Sequence, residues 1–228
     1  MTLKKKLTNL DLFSYGILGL PLGFIGLPLY VYLPKFYAEN YGVSLVSLSV
    51  LLLMTRIIDT VQDPFIGWFS DHLNRLYKKS MRRQIICISI PLLCLAFLLL
   101  LFPADFASPL LWIGFFLILT YTTYSFLSIN YYTIAAEITS SYHEQTKLVS
   151  SREGLALIGI SLGSIVPAAL ISVFDSNMAH LVIWLAFSVF MISSALIFYQ
   201  KSPQSTLQNH TVEEFSGTFR TIYKNKRF

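Results

Sequence analysis

Charged residues are scarce in this chain. Asp, Glu, Lys and Arg make up 13% of its 228 residues, about half the proportion found in a typical soluble domain. Hydrophobic residues supply 54% of the sequence, and the mean hydropathy is +0.60. A chain with so few charges and so many apolar residues does not fit the soluble globular class, and we assign it to the membrane proteins.

Cysteine is almost absent as well, which excludes a disulfide framework. Cys87 and Cys94 lie in one apolar segment, and on a helix they would share a face about 10 Å apart, too far for a disulfide. The sequence also lacks metal-ligand spacing, a nucleophilic triad and a glycine-rich phosphate loop. We therefore predict that the protein is not an enzyme and binds no organic cofactor.

Long apolar runs are what the sequence has in abundance. About 20 apolar residues cross a bilayer core, and six runs reach that length, at about 12–34, 44–69, 82–102, 109–136, 152–173 and 179–199. The predicted fold class is therefore an all-α membrane protein, with six transmembrane helices in residues 1–200. The first run follows three lysines but has no small-residue cleavage site, so we expect it to remain as a membrane helix.

The distribution of basic residues predicts the topology. They precede the first run and follow the second, fourth and sixth, whereas the other connecting segments contain only Lys35. Because basic loops favour the cytoplasmic side, we predict a multi-pass protein of the bacterial inner membrane with both termini in the cytoplasm. The net charge of +5 reflects this topology, and we predict no nucleic-acid partner.

The last part of the chain, residues 201–228, is predicted to be a cytoplasmic linker that contains a short amphipathic helix. Val212, Phe215 and Phe219 follow helical spacing. Thr211 precedes Glu214 by three residues, as in a capping box. This helix is expected either to pack on the cytoplasmic ends of the bundle or to bind anionic lipid through its basic residues.

The second predicted span carries three ionisable residues. Arg56, Asp59 and Asp63 interrupt the stretch RIIDTVQDPFIGW, and their i, i+3, i+7 spacing places them on one helix face. A charge in the bilayer core costs at least about 2.5 kcal/mol, so this face must point into the bundle or a water-filled cavity. The pattern predicts a site for Na⁺ or H⁺ at Asp59 and Asp63, with Arg56 as their charge partner.

A structural alternative exists for the same three residues. Arg56 and Asp59 could form an internal ion pair, while Asp63 ends a helix beside Pro64. Both interpretations remain open at this point.

A second charged motif follows at the predicted cytoplasmic end of this span. Gly67 would permit close approach of a neighbouring helix, and Asp71 would pair with Arg75 or with the basic residues after it. These residues predict a cytoplasmic gate, although a charged loop can equally reflect topology alone.

Small residues and prolines recur in the first predicted span. Glycines at three- or four-residue intervals predict a face for close helix packing, or alternatively a smooth cavity wall and hinge; they are Gly16, Gly19, Gly23 and Gly26. Pro21, Pro28 and Pro34 favour kinks.

Several of these motifs together resemble a known family. The chain is similar to the N-terminal half of a major facilitator superfamily transporter, and most of all to the glycoside–pentoside–hexuronide:cation symporter family. The resemblance depends on SYG at 14–16, GVS at 42–44 and RIIDTVQDPFIGW at 56–68. It extends more weakly to Tyr121, Tyr124, Arg152 and the IYKN run at 222–225.

The resemblance implies roles for individual residues. Asp59 and Asp63 match the family's paired cation-site carboxylates, and Arg56 and Arg152 match arginines near the cavity. The chain departs from the family's sugar permeases where these carry acidic sugar ligands, because the corresponding positions here are Gly23 and Ser128. Gln62 also replaces the family's Asn before the second carboxylate.

The fourth predicted span supplies candidates for a substrate cavity. Tyr121, Tyr124, Ser125 and Ser128 lie along one helix face, and with Gly23 they are predicted to line it. Such an aromatic and polar strip would suit a small organic solute, although it is equally typical of interfacial anchoring and helix packing.

The resemblance implies one half of a cation-coupled secondary transporter, a symporter, for a small organic solute that is sugar-like or of another kind. The coupling ion would be Na⁺ or H⁺. The alternative is a truncated or split half-transporter that has no activity of its own and acts only with a partner chain. The expected partners are the solute, the lipid bilayer and, as a candidate, a second six-helix half. The identity of the solute, the coupling ion and the direction of transport stay open.

Overall fold

Six long helices make up the part of the chain that the structure describes. The computed structural model describes residues 7–77, 81–104 and 107–203. Its helices are α1 (Asn9–Tyr41), α2 (Leu45–Tyr77), α3 (Arg82–Leu101), α4 (Pro109–Ile138), α5 (Tyr142–Val173) and α6 (Ser176–Lys201). Each is long and apolar enough to cross a membrane, which confirms the predicted all-α class with six membrane helices. The predicted amphipathic helix after residue 211 lies outside the described residues.

Two helices extend well past the apolar runs that predicted them. The apolar run of α2 was expected to end at residue 69, whereas the helix continues to Tyr77; α5 begins at Tyr142 instead of residue 152. Hydropathy marks the part of a helix that suits lipid. Helical hydrogen bonding continues into the polar residues on either side.

The first helix is interrupted along its length. It consists of Asn9–Gly16, Gly19–Leu27, a π-helical turn at Pro28–Tyr32, and Leu33–Tyr41. The π-turn begins at a proline, which lacks the N–H group needed for a regular helical hydrogen bond. The helix ends at Gly42, whose φ of 64° lies in the left-handed region that glycine adopts without strain.

A side chain from α4 enters the first interruption of α1. The Tyr131 hydroxyl donates to the backbone carbonyl of Tyr15 at 2.7 Å. In return, the Tyr15 hydroxyl donates to the backbone carbonyl of Tyr131 at 3.2 Å. The Tyr15 carbonyl, which would accept from the Gly19 N–H in an uninterrupted helix, thus accepts from a side chain of α4. Both tyrosines are completely buried.

Gly16, Gly19 and Gly23 of α1 pack directly against α5, as one of the two interpretations of the sequence expected, whereas a Cβ atom on Gly26 would meet nothing within 4 Å in the described residues. A Cβ atom built on Gly19 would lie 2.6 Å from the carbonyl oxygen of Arg152, and one on Gly23 would collide with the carbonyl of Ala156. Gly159 and Gly163 of α5 have equally little room against α1. Backbones can approach this closely only where both helices lack side chains.

The helices differ in how much of their surface the bundle covers. In the most apolar stretch of each helix, only 11% of the residues of α2 and 17% of those of α5 are buried, compared with 33–56% in the other four. The exposed side chains on these two helices are mostly large and apolar, and include Val50, Ile57, Leu157 and Ile158. α2 and α5 therefore present extensive uncovered apolar faces.

Candidate functional site

The charged residues of α2 lie together, as their spacing predicted. A guanidinium nitrogen of Arg56 is 3.0 Å from the Asp59 carboxylate. The Asp59 side chain is 15% exposed and that of Arg56 is 47% exposed, so the carboxylate points inward and the arginine reaches it from the open side of the helix.

Asp59 is also bonded across the interface between α2 and α4. Its Oδ1 atom accepts hydrogen bonds from the Ser125 hydroxyl at 2.9 Å and from the Gln62 amide nitrogen at 3.2 Å. The amide oxygen of Gln62 in turn accepts from the Thr122 hydroxyl at 3.0 Å. The sequence assigned Ser125 to the substrate cavity, but its hydroxyl faces the carboxylate. Thr122 was missed, although it lies three residues before Ser125 on the same helix.

Asp63 lies one helical turn beyond Asp59. Its Oδ1 atom is buried and has no hydrogen-bond partner among the described residues. α2 continues unbroken through Pro64 to Tyr77, so Asp63 does not end a helix, and that part of the structural alternative is wrong. A buried carboxylate oxygen without a donor is costly, which makes Asp63 the unsatisfied group of this face.

Two tyrosines hold the guanidinium of Arg56. Its central carbon lies 4.3 Å from the ring centre of Tyr30 and 4.9 Å from that of Tyr121. Tyr30 belongs to the π-turn of α1, and Tyr121 to α4. Both hydroxyl oxygens are buried and lack hydrogen-bond partners among the described residues. Tyr121, assigned to the substrate cavity from the sequence, thus contacts the arginine of the charged face.

A small cavity of about 150 Å³ lies between α1, α4 and α5. Its lining includes Gly23, Tyr124, Tyr132, Arg152 and Glu153. The Arg152 guanidinium lies 3.9 Å above the Tyr132 ring and pairs with Glu153 at 2.5 Å. The cavity therefore offers aromatic faces, a cation and a carboxylate to a small molecule.

The sequence predicted only part of this cavity. Gly23, Tyr124 and Arg152 line it. Ser128 does not, because it is buried and its hydroxyl donates to the Ser125 carbonyl at 3.4 Å. Glu153 also lines the cavity and was missed, although its position next to Arg152 in the sequence could have indicated it.

Asp71 of the predicted cytoplasmic gate has a partner from the basic residues that follow it, as expected, whereas the involvement of Glu137 was not predicted. Asp71 pairs with Arg82 at 2.5 Å, and Arg82 also pairs with Glu137 at 2.6 Å. The Arg82 side chain is 8% exposed, so this network of α2, α3 and α4 is buried. A Cβ atom on Gly67 would meet nothing within 4 Å in the described residues, so these residues make no close helix approach there, and the role of Gly67 stays a prediction. Arg75 lies one turn after Asp71 on α2 and stays a predicted gate residue. Lys78 and Lys79 lie outside the described residues.

Comparisons with known proteins identify the family of the chain. The family described as MFS/sugar transport protein matches residues 14–228. The uncharacterized symporter YnaJ of Bacillus subtilis is 29% identical over 167 residues, which cover 72% of this chain and 35% of YnaJ. The putative glycoside/cation symporter YagG of Escherichia coli is 26% identical over 85% of this chain and 42% of its own length.

A third relative carries a named substrate. The isoprimeverose transporter of Lactiplantibacillus pentosus is 25% identical over 178 residues, which cover 74% of this chain and 35% of the transporter. The chain thus spans well under half the length of these curated relatives. The match over nearly the whole chain confirms the family expected from its motifs: the chain belongs to the MFS/sugar transport protein family, as a glycoside–pentoside–hexuronide:cation symporter relative that covers the N-terminal half.

Proposed function

We propose that this chain is the N-terminal half of a cation-coupled secondary transporter for a small organic solute. It would lie in a bacterial inner membrane with both termini in the cytoplasm, as the distribution of basic residues favours. Membership of a transporter family supports this proposal, and so do the six apolar helices.

The observation that carries the cation coupling is the buried Asp63 oxygen without a donor, one turn from Asp59. The two carboxylates have only Arg56 as a cationic neighbour on their helix face, which leaves net negative charge inside the bundle. Carboxylate and hydroxyl oxygens are suitable ligands for a hard cation. Asp59, Asp63 and Ser125 are therefore the proposed ligands for Na⁺, or the site of protonation if H⁺ is the coupling ion.

The solute would bind in the cavity between α1, α4 and α5. Tyr124 and Tyr132 offer aromatic faces, while Arg152 and Glu153 offer a hydrogen-bond donor and acceptor. The relatives' names include glycosides and isoprimeverose, so a sugar-like solute is one candidate. The acidic sugar ligands expected by resemblance are replaced at Gly23 and Ser128, so Glu153 is the carboxylate available in this cavity.

Transport by such a fold requires a second six-helix half, and the exposed apolar faces of α2 and α5 would pack against it. The network of Asp71, Arg82 and Glu137 is proposed as part of the cytoplasmic gate. If the chain moves no solute alone but does so with a second half, it acts as a half-transporter. Uptake by proteoliposomes under a Na⁺ or H⁺ gradient, with and without that half, distinguishes these cases.

Binding of ²²Na⁺ to the purified chain tests the cation site directly. We expect Asp59→Asn and Asp63→Asn each to abolish saturable binding, because each removes one carboxylate from the site. Asp175→Asn, which alters an exposed aspartate before α6, is the matched control and should bind as the wild type does. Equal binding by all three variants would show that Asp59 and Asp63 have only a structural role.

A further inference from the structure

Asp59 already accepts three hydrogen bonds from the protein. Arg56 donates to one oxygen, and Ser125 and Gln62 donate to the other. The Gln62 group that faces Asp59 is its amide nitrogen, which cannot ligate a cation. A cation that binds Asp59 must therefore share the carboxylate with the charged guanidinium of Arg56 and with the Gln62 amide.

Of these donors, Arg56 is the one that carries a positive charge. It gives the Asp59 carboxylate what a bound cation would give, namely charge neutralisation within 3.0 Å. Asp63 receives no such compensation, since its buried oxygen has no partner among the described residues. The two carboxylates are thus unequal, and only Asp59 carries a charge that the protein itself neutralises.

Arg56 also has contacts that do not depend on Asp59. Its guanidinium already lies against the faces of Tyr30 and Tyr121, and a cation is stabilised over an aromatic ring without any carboxylate. Almost half of its side chain is exposed, so it can leave Asp59 without disturbing buried packing. Neither tyrosine hydroxyl is engaged by another described residue, so both could accept hydrogen bonds from the displaced guanidinium.

We propose that Arg56 is a tethered competitor of the coupling ion. It neutralises Asp59 before the ion binds; the ion displaces it from Asp59, and Tyr30 and Tyr121, which it already contacts, then hold it without the carboxylate. This inference rests on the proposed function, and it adds a consequence. Tyr30 lies on α1 and Tyr121 on α4, and both helices line the solute cavity. Cation binding at Asp59 would therefore change the contacts that Arg56 makes with two helices of that cavity.

The affinity of the purified chain for Na⁺, measured by ²²Na⁺ binding, tests this proposal. In Arg56→Gln the competing charge is gone, so we expect the Kd for Na⁺ to fall by about tenfold. Arg56→Lys keeps the positive charge and should stay within about twofold of the wild type. Arg83→Gln removes a distant arginine that contacts backbone carbonyls after α6, and it should leave the Kd unchanged.

The tyrosines provide a second test that does not depend on removing a charge. Tyr30→Leu removes one of the two rings that hold the displaced guanidinium, so the Kd for Na⁺ should rise several-fold. Tyr30→Phe keeps the ring, so most of the affinity for Na⁺ should be retained. If the wild type binds Na⁺ and Arg56→Gln binds it no more tightly, the competitor role is overturned and the cation site stands. Absence of Na⁺ binding in every variant would overturn both the competitor role and Na⁺ coupling.

Discussion

Arg82 joins three helices at one end of the bundle through a single guanidinium. It pairs with Asp71 of α2 and Glu137 of α4, and also donates to Asn130 at 3.4 Å. Removing one partner of a buried ion pair costs about 3–5 kcal/mol. Arg82→Gln should therefore lower the free energy of unfolding by several kcal/mol, measured by chemical denaturation in detergent.

The neighbouring arginine provides the control for this prediction. Arg83 donates to the carbonyls of Ser202 and Pro203 and leaves no buried carboxylate behind when it is removed. Arg83→Gln should cost about 1 kcal/mol. Adding Asp71→Asn and Glu137→Gln to the Arg82 variant should recover part of the loss, because the stranded charges are gone. Equal losses for the two arginines would contradict a buried charge network.

At the scale of residues, the sequence predicts contacts within one helix better than contacts between two helices. Helical periodicity was enough to bring Arg56, Asp59 and Asp63 to one face. It could not assign Ser125 to Asp59, since no local signal defines how α4 rotates against α2. Glu137 was missed as a partner of Arg82 for the same reason: it lies far along the chain, and only packing brings the two residues together.

Among the helices, α1 shows effects of its own prolines and of a neighbouring helix. Prolines predicted kinks: Pro28 begins the π-turn, and Pro21 lacks the N–H that would bond the Ile17 carbonyl, which accepts from Leu20 at 3.2 Å instead. At this earlier break the Tyr131 hydroxyl also inserts from α4 and donates to the Tyr15 carbonyl. Such an insertion cannot be predicted from the sequence of α1, because its cause lies on another helix.

Tyr131→Phe removes this hydroxyl and frees the Tyr15 carbonyl, which the Gly19 N–H can then bond as in a regular helix. We expect the Gly19 amide to exchange with deuterium at least about fivefold more slowly, the effect of gaining one buried hydrogen bond. Leu–Gly pairs end only at Gly19, Gly23 and Gly163, so ¹³C-Leu/¹⁵N-Gly labelling resolves the Gly19 amide by NMR.

The matched control for this variant is Tyr37→Phe. It also removes a buried tyrosine hydroxyl that donates to a carbonyl, that of Leu100 at 2.9 Å, but at the other end of α1. The Gly19 signal should not change in that variant. Exchange of Gly19 in Tyr131→Phe at the wild-type rate would mean that α1 is interrupted for another reason.

For the whole molecule, composition and hydropathy predicted the class and the number of helices, because burial in lipid imposes both on the sequence. They did not distinguish faces that meet lipid from faces that meet protein, since both are apolar. The unequal burial of the helices supplies that distinction: α2 and α5 are the least covered.

These faces predict where a second half would pack. In cells that produce the chain with the six helices completing the transporter, Val50→Trp on α2 and Ile158→Trp on α5 should reduce copurification of the halves several-fold. A bulky ring there would hold the two surfaces apart. Val189→Trp, on an exposed position of α6, should have no effect. Equal copurification by all three variants would exclude α2 and α5 as the interface.

The paired tyrosines of α1 and α4 also constrain the order in which the protein can be assembled. Tyr131 follows Tyr15 by 116 residues, so α1 has left the ribosome long before its partner exists. Until α4 is inserted, the carbonyl of Tyr15 has no tyrosine hydroxyl to bond, and α1 can close its own hydrogen bond there. α1 therefore reaches its final shape at Tyr15 only when α4 docks against it.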